Sequence, residues 1–223
     1  MNTAPRLAVL FSAGVLVCST TRAQVIRSIP VVTQVQGATL FRSSVTISNA
    51  DDSVTTPVHL LFSYRSPTDG TFQTVTVNVT PPLGPRRVEF FPDMVQALKD
   101  AGAIRAADAN AALFGTLLVT FDAFTDFNKE HTAAVARTYS AGPTGGTLGI
   151  AYAGRCFCQT GSQGRVQGAG RSGAFASDGN TRANLGIVNE GSGPTDVTVT
   201  YFDGVSGLQL KQFVISSVAG HVL

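Results

Sequence analysis

Four oxygen-bearing side chains lie close together in the middle of the chain and are the residues best suited to bind a metal ion. They are Asp122, Asp126, Asn128 and Glu130. Carboxylate and amide oxygens are ligands that Ca²⁺ prefers, so this stretch is a candidate calcium site. It lacks the spacing and the glycine of an EF-hand loop, and it lies between two predicted strands. A polar hairpin tip is therefore the preferred interpretation, with paired acid and base catalysis ranked below both, because the sequence indicates no substrate cleft.

Cys156 and Cys158 form the second candidate site, in a stretch rich in glycine. A disulfide between them would close a small strained ring, whereas a flexible loop in an oxidising compartment favours oxidation. A closed tetrahedral metal site needs four ligands, and no histidine lies nearby in the sequence. Three interpretations stay open: a disulfide or intermolecular bridge, two incidental thiols, and a redox or metal role.

The sequence contains no motif with the specificity of a catalytic centre. The letters G-x-S-x-G, H-E-x-x-H and the Walker pattern are absent, and His59, His131 and His221 stand far apart. Residues 168–173 match G-x-G-x-x-G, but a dinucleotide fingerprint needs a strand before it and a helix after it, and a glycine-rich loop precedes this one. We therefore predict a protein without catalytic residues and without a cofactor.

The first 23 residues have the pattern of a secretory signal peptide. Arg6 supplies the positive start, residues 7–17 are apolar but too short to span a bilayer, and Thr21-Arg22-Ala23 has the small residues that signal peptidase reads. We predict cleavage before Gln24. The product is then secreted, periplasmic or displayed on the cell surface.

The charge of the mature chain argues against a nucleic-acid partner. Of the 16 basic and 14 acidic residues, Arg6 and Arg22 belong to the leader, which leaves a formally neutral chain without the basic surplus of nucleic-acid binders. No apolar run after residue 23 reaches the length of a membrane helix, so no transmembrane helix is predicted in the mature chain. Lipid anchoring at Cys18 is disfavoured, because Val17 stands where a small residue is needed.

Apolar residues alternate with period two after residue 29, which predicts short strands that each bury one face. The alternating sets are Val45 and Ile47; Val58, Leu60 and Phe62; Val75, Val77 and Val79; Leu117, Val119 and Phe121; and Val135, Arg137 and Tyr139. One short helix is predicted between Pro92 and Gly102, with an apolar face that would cover one open end of the sandwich. The predicted fold class is an all-β, immunoglobulin-like β-sandwich with one short helix, followed by a partial second β unit.

Four segments follow from this pattern: a signal peptide (1–23), a β-sandwich domain (24–152), a glycine-rich linker or loop (153–173) and a partial second repeat (174–223). The repeat rests on internal similarity. With a shift of 140, Arg42, Val45, Ile47 and Asn49 fall on Arg182, Leu185, Ile187 and Asn189, and with a shift of 139, Val58, Leu60 and Phe62 fall on Val197, Val199 and Tyr201.

Several segments resemble exported bacterial β-sandwich repeats that occur in tandem in envelope and secreted proteins. They are Ile29-Pro-Val-Val32, Leu40–Asn49, Ala136-Arg-Thr-Tyr139 and Thr181–Asn189. The resemblance implies an extracytoplasmic immunoglobulin-like module and carries no catalytic residues with it. We expect a non-enzymatic module with a structural or adhesive role. A carbohydrate- or peptide-binding module is the alternative, and a hydrolase without a recognisable motif comes third.

The C-terminal strands raise the question of a partner. Residues 185–215 lack the later strands that the first unit supplies, so their apolar face and strand edges need cover. Cover could come from the first unit, from an envelope protein or from another copy of this chain through added strands. We expect association through these strands, and a truncated repeat is the competing interpretation.

Overall fold

The structure is a computed structural model that describes residues 6–8, 24–37, 39–124, 128–142, 145–156, 189, 193–203 and 206–218. The chain divides into two compact units, Met1–Gln159 and Thr160–Leu223. Most described residues lie in antiparallel strands, which confirms the all-β prediction. Most of the leader and of the predicted linker lie outside the described residues.

The strands of the first unit run antiparallel throughout. They are β1 (Arg6–Ala8), β2 (Val25–Gln36), β3 (Leu40–Asn49), β4 (Thr56–Arg65), β5 (Phe72–Leu83), β6 (Arg87–Phe91), β7 (Leu113–Phe121), β8 (Thr132–Ala141), β9 (Thr147–Ala153) and β10 (Arg155–Cys156). The order β1-β5-β4-β7-β2 forms a first layer, and β6 and β8 flank β3 in a second layer that ends at β9. The long strand β2 belongs to both layers, since it pairs with β7 from Val25 to Gln34 and with β3 from Gln34 to Gln36.

Side chains from both layers meet in one core, as a sandwich requires. Leu60 and Phe62 of β4 are fully buried, and so are the alternate residues of β3 and β7 that the sequence pattern singles out. The strand β10 pairs with β2 through Arg155 and Cys156, so the first unit continues beyond the predicted boundary at residue 152. The segment β1, within the predicted leader, pairs with residues 78–80 of β5.

One strand buries the face opposite to that expected. In β8 the core side is made by Ala134 and Ala136, while Val135 and Arg137 of the predicted alternating set point outward. The reason is register: Ala136 and Ala134 pair directly with the buried Val45 and Ile47 of β3, and directly paired residues project on the same side of the sheet. The interpretation of this alternation was therefore wrong about which face is buried.

The predicted helix exists as α1 (Met94–Asp100). The carboxylate of Asp93 caps it by accepting the N–H of Gln96. Met94, Val95 and Leu98 are buried in the core, and α1 packs on β2 and β3. The helix therefore covers the region where the chain passes from one layer to the other.

The second unit contains one described hairpin, formed by β11 (Thr195–Phe202) and β12 (Gln209–Val218). Val197, Val199 and Tyr201 share one face of it and are half-buried, and the ring of Tyr201 stacks on Phe213 at 5.8 Å. The predicted equivalents Arg182, Leu185 and Ile187 lie outside the described residues. In the part of the chain that is described, no helix has both the length and the apolar character needed to cross a membrane.

Candidate functional site

The predicted oxygen cluster is only partly described, because Asp126 lies outside the described residues. Asp122 directs its carboxylate at the first layer: Oδ2 lies 2.7 Å from His59 Nε2, and Oδ1 accepts a hydrogen bond of 3.1 Å from Gln24 Nε2. Glu130 lies instead 3.8 Å from Nε2 of His131. No group of three or more His, Cys, Asp or Glu among the described residues is arranged to hold a metal ion. The calcium site stays a prediction.

Asn128, the fourth predicted ligand, marks the start of the short 3₁₀ turn Lys129–His131. Its backbone carbonyl accepts the N–H of His131 at 3.2 Å. This turn leads directly into β8. The hairpin interpretation was wrong, because β7 pairs with β2 and β4 whereas β8 pairs with β3 and β9, so the two strands joined here are not neighbours.

The imidazole of His59 lies on the outer side of the first layer between two oxygen atoms. Its Nδ1 is 2.6 Å from Oδ1 of Asn78 on β5, and its Nε2 is 2.7 Å from Asp122. Both positions follow from strand register, because His59 pairs directly with Asn78. With both ring nitrogens engaged, the imidazole has no nitrogen left to activate a hydroxyl or thiol.

A second histidine pairs with an aspartate at the end of β3. His131 Nδ1 lies 2.7 Å from Oδ2 of Asp51. The other oxygen of Asp51 accepts the N–H groups of Ser53 and Val54 and the Ser53 hydroxyl. The backbone hydrogen bond from Ser53, reinforced by His131, holds the pKa of Asp51 well below its usual range.

This pair does not form a catalytic triad. In a triad the nucleophilic hydroxyl lies on the ring nitrogen opposite the carboxylate, whereas Ser53 donates to the carboxylate itself. No hydroxyl or thiol in the described part of the chain lies within hydrogen-bond distance of His131 Nε2. The hydrogen bonds of Asp51 fix the connection from β3 to β4, and the arrangement supplies no nucleophile.

The most deeply buried acid, Asp108, is 0% exposed and joins two turns. Its carboxylate accepts hydrogen bonds from Arg105 Nε at 2.5 Å, Thr68 Oγ1 at 2.7 Å, Ser66 Oγ at 2.8 Å and the Tyr64 hydroxyl at 3.1 Å. The bond from Arg105 does most to hold the pKa of Asp108 below its usual range, while burial and Asp108 raise the pKa of Tyr64 to about 12. Every donor is used internally, so this network stabilises the fold.

The second layer carries a different kind of cluster on its outer face. Arg42 of β3 pairs directly with Tyr139 of β8, and Arg137 lies two residues before it on the same face. The guanidinium carbons lie 5.1 Å (Arg42) and 5.3 Å (Arg137) from the Tyr139 ring centroid. Both distances are within the range of cation–π attraction.

This Arg–Tyr cluster, meaning Arg42, Arg137 and Tyr139, adjoins an open depression of about 280 Å³. The depression is lined by Leu40, Arg42, Tyr139, Ala141, Gly146 and Thr147. The Tyr139 hydroxyl donates to the Pro92 carbonyl at 3.1 Å, and Arg137 donates to the Thr147 hydroxyl at 2.5 Å. The ring and one of the two cations are thus held in place by neighbouring elements.

The sequence did not single out this cluster as a site, although its residues were noted. Arg42 drew attention through the repeat and the family resemblance, and Arg137 and Tyr139 through strand alternation and the family resemblance. An Arg-x-Tyr pair on one strand is common on sheet surfaces, and only the register of β3 on β8 brings Arg42 to the same ring. Of the two candidate cysteines, Cys156 lies in β10 and Cys158 is outside the described residues, so their pairing stays a prediction.

Comparisons with known proteins leave the chain's ancestry open, because no family model, no curated protein and no solved structure matches it.

Proposed function

We propose that this chain is a non-enzymatic, exported module of immunoglobulin-like β-sandwich type with a structural or adhesive role, in the cell envelope or outside the cell. The observation that supports the proposal best is an apolar surface on the outer side of the second layer. Val88 and Phe90 of β6 are 60% and 53% exposed, and Val135 of β8 is 40% exposed. We call these three residues the outer patch.

Register places the outer patch on one continuous surface. Phe90 pairs with Thr46 of β3, which pairs in turn with Val135 and, through it, with Ala153 of β9. Directly paired residues of antiparallel strands project on the same side of the sheet. Contiguous apolar surface on a folded domain is typical of sites of association.

The histidine pairs support the non-enzymatic part of the proposal. Both ring nitrogens of His59 bind side-chain oxygens, and the serine nearest to His131 donates to Asp51 instead. A serine or cysteine hydrolase would need a nucleophile with an adjacent base, and neither histidine of the described residues provides one. A broad screen of esterase, peptidase and glycosidase substrates tests this, and turnover abolished by His131→Ala would overturn the proposal.

We propose two partners: an envelope protein, which binds the outer patch, and a second copy of the chain, which associates through the C-terminal strands. Leu210 and Val214 of β12 are exposed, which leaves apolar surface on the hairpin available for contact. Sedimentation of the chain from Gln24 onward, beside the same chain ending at Gln159, tests self-association. The proposal expects a larger species only for the longer chain, and equal monomers would contradict self-association.

The second candidate function is a carbohydrate- or peptide-binding module, favoured by the depression beside the Arg–Tyr cluster. Ligand sites are concave and combine apolar lining with a few fixed polar groups, and Leu40, Thr147 and Arg42 supply these here. A glycan array separates this candidate from purely structural adhesion. Binding to defined glycans would favour it over adhesion through the outer patch.

The adhesive proposal is tested by attachment to an immobilised envelope fraction. Replacing both Val88 and Phe90 by Ser removes the two most exposed residues of the outer patch without touching the core, and attachment should fall by about tenfold or more. Phe72→Ser is the matched control, because Phe72 is 70% exposed and lies on β5 in the other layer. Unchanged attachment of the Val88 and Phe90 double variant would contradict the proposal.

A further inference from the structure

We infer that the Arg–Tyr cluster binds a carboxylate group of an acidic saccharide, such as the uronate units of an anionic glycan. This inference rests on the second candidate of the proposed function, since it takes the chain to be a carbohydrate-binding module. It adds the ligand class, the residues that recognise it and the place on the sheet.

The positive charges of Arg42 and Arg137 are not compensated by neighbouring acids of the described residues. No ion pair is formed by Arg42 or Arg137 with any acid of the described residues, although both are exposed and lie on one ring. Elsewhere in the first unit, Arg86 pairs with Asp52, and Arg105 pairs with Asp69 and Asp108. Two neighbouring cations repel each other, and a bound anion relieves that repulsion.

The two guanidinium groups of the Arg–Tyr cluster are oriented before a ligand binds. The ring of Tyr139 attracts both of them, while its hydroxyl is fixed to the Pro92 carbonyl. A guanidinium presents a planar fork of N–H donors that matches a carboxylate in two parallel hydrogen bonds. Side chains ordered before binding lose less conformational entropy when the ligand arrives.

Gly149 on β9 lies so close to Tyr139 that it leaves no room for a Cβ atom. It pairs directly with Tyr139, and a Cβ atom at this position would lie 2.8 Å from the Tyr139 Cβ and 2.4 Å from the Thr138 carbonyl oxygen. Any larger residue would therefore displace Tyr139 or separate β8 from β9. The glycine therefore allows β9 to approach β8 closely at Tyr139, the residue whose ring both arginines contact.

The shape of the depression favours a saccharide as the carrier of the carboxylate. Leu40 and Ala141 provide apolar edges, while the Thr147 hydroxyl and the backbone at Gly146 provide polar ones. A sugar ring has apolar faces and a rim of hydroxyl groups, which this mixed lining complements. The volume of about 280 Å³ suits one ring and is open to solvent, so the remaining units can extend along the sheet.

Binding of an oligomer of galacturonate to the folded chain, measured calorimetrically at low salt, tests the inference. Saturable binding is expected, and Arg42→Gln and Arg137→Gln should each weaken it about tenfold or more. Arg42→Lys keeps the charge but loses the planar fork, so it should also bind more weakly than the native chain. The matched control is Arg65→Gln, because Arg65 lies 6.0 Å from the ring centroid of Phe72 with no second cation beside it.

Two ligand controls separate the carboxylate from the sugar. The fully methyl-esterified oligomer keeps the rings and loses the charge, and it should not bind. Inorganic sulfate at the same concentration should bind far more weakly than the uronate oligomer. Equal binding of the ester or of sulfate, or native affinity in both glutamine variants, would overturn the inference.

The binding experiments also distinguish a failure of this inference from a failure of the proposed function. If the uronate oligomer fails to bind while attachment to the envelope fraction persists and depends on Val88 and Phe90, the inference is wrong and the adhesive proposal stands. If the oligomer is bound and cleaved, the non-enzymatic proposal is wrong instead. Circular dichroism of each variant confirms that it is folded before its affinity is compared.

Discussion

The hairpins β4–β5 and β11–β12 turn in the same way but are buried to very different extents. In each, the residue that opens the turn donates its N–H to the carbonyl five residues later, and its own carbonyl accepts the N–H of the residue four later. The opening residue is Ser66 in the first hairpin and Asp203 in the second. The residue four later is a glycine with positive φ in both, Gly70 at 73° and Gly207 at 71°.

Different side chains perform the same task in the two turns. The hydroxyl of Ser66 accepts the N–H of Thr68 at 3.1 Å, and the carboxylate of Asp203 accepts the N–H of Ser206 at 2.7 Å. Local chemistry of this kind specifies a turn whether or not a core lies beneath it. The two turns match at a shift of 137, two residues short of the 139 that aligns the strands before them, and the repeat stays a prediction.

The two hairpins differ in what covers them. Leu60 and Phe62 of β4 are completely buried, whereas Val199 and Tyr201, their counterparts under the shift of 139, are half-buried. The first hairpin therefore gains free energy of unfolding from the core as well as from its turn. The second should depend mainly on its turn and cross-strand pairs.

The largest expected effect is the loss of stability when a core residue of the first hairpin is shortened, compared with its half-buried counterpart in the second hairpin. Leu60→Ala should lower the free energy of unfolding of the first unit by about 2–5 kcal/mol, because it leaves a cavity in a packed core. Val199→Ala should lower that of the second unit by less than about 1 kcal/mol, because little buried surface is lost. Denaturant titration with a local probe in each unit measures both. Equal losses at the two sites would refute the difference in cover.

The network at Asp108 gives the next effect, which depends on pH. Asp108→Asn removes the charge that Arg105 pairs with and should lower the Tm clearly, whereas Asp203→Asn in the exposed turn should change it little. Because the pKa of Asp108 is lower in the folded state, its stabilising contribution is present above pH about 4 and lost as the pH falls further.

Thermal unfolding between pH 7 and pH 2 measures this dependence. The Asn variant should lose less stability than the native chain as the pH falls below about 4. Some acid sensitivity should persist in it, because the pKa values of Asp51 and Asp69 are also lowered by folding. A variant with the same acid profile as the native chain would contradict the assigned role.

Replacing the glycine of either turn should destabilise its hairpin to the same extent, which tests the similarity of the two turns. Gly70→Ala and Gly207→Ala each place a Cβ atom in a left-handed conformation, at a cost of about 1–2 kcal/mol. The loss should be about the same in the two units, since both turns have the same hydrogen bonds. Hydrogen exchange of amides in each hairpin reports it locally, and a large loss at only one glycine would break the comparison.

The smallest effect on stability is expected from the two cysteines, which lie between the two hairpins in the sequence. Replacing both Cys156 and Cys158 by Ser should leave the Tm within about 5 °C of the native value, since β10 is a short edge strand. Oxidised and reduced samples should also unfold alike. A loss on the scale of a structural disulfide, about 2–5 kcal/mol, would show that the bridge forms and supports the fold.

Sequence periodicity predicted the strands whose large apolar residues alternate, such as β4 and β7, because branched side chains at every second position need a buried face. It misjudged β8, where two alanines face the core and Val135 faces outward. The register of β8 on β3 decided the buried face, because Ala134 and Ala136 pair with the buried Ile47 and Val45. Such a register is a property of the tertiary fold and leaves no periodic signal.

The candidate site residues, too, could be predicted from the sequence only in part. Asp122 was noticed as a possible ligand for a cation, but its hydrogen bond to His59 depends on the pairing of β4 with β7. Arg42 and Tyr139 meet only because β3 and β8 pair in one particular register. Residue types can be read directly from a sequence, whereas cross-strand neighbours require the register.

Hydroxyl-radical footprinting of the folded chain, alone and attached to the envelope fraction, tests most directly whether it acts through the outer face of its second layer. Phe90 and Phe72 are both exposed phenylalanines, on opposite layers, and both should be oxidised in the free protein. On attachment, the account predicts protection of Phe90 together with Val88 and Val135, and continued oxidation of Phe72. Protection of Phe72 with Phe90 still oxidised would contradict it.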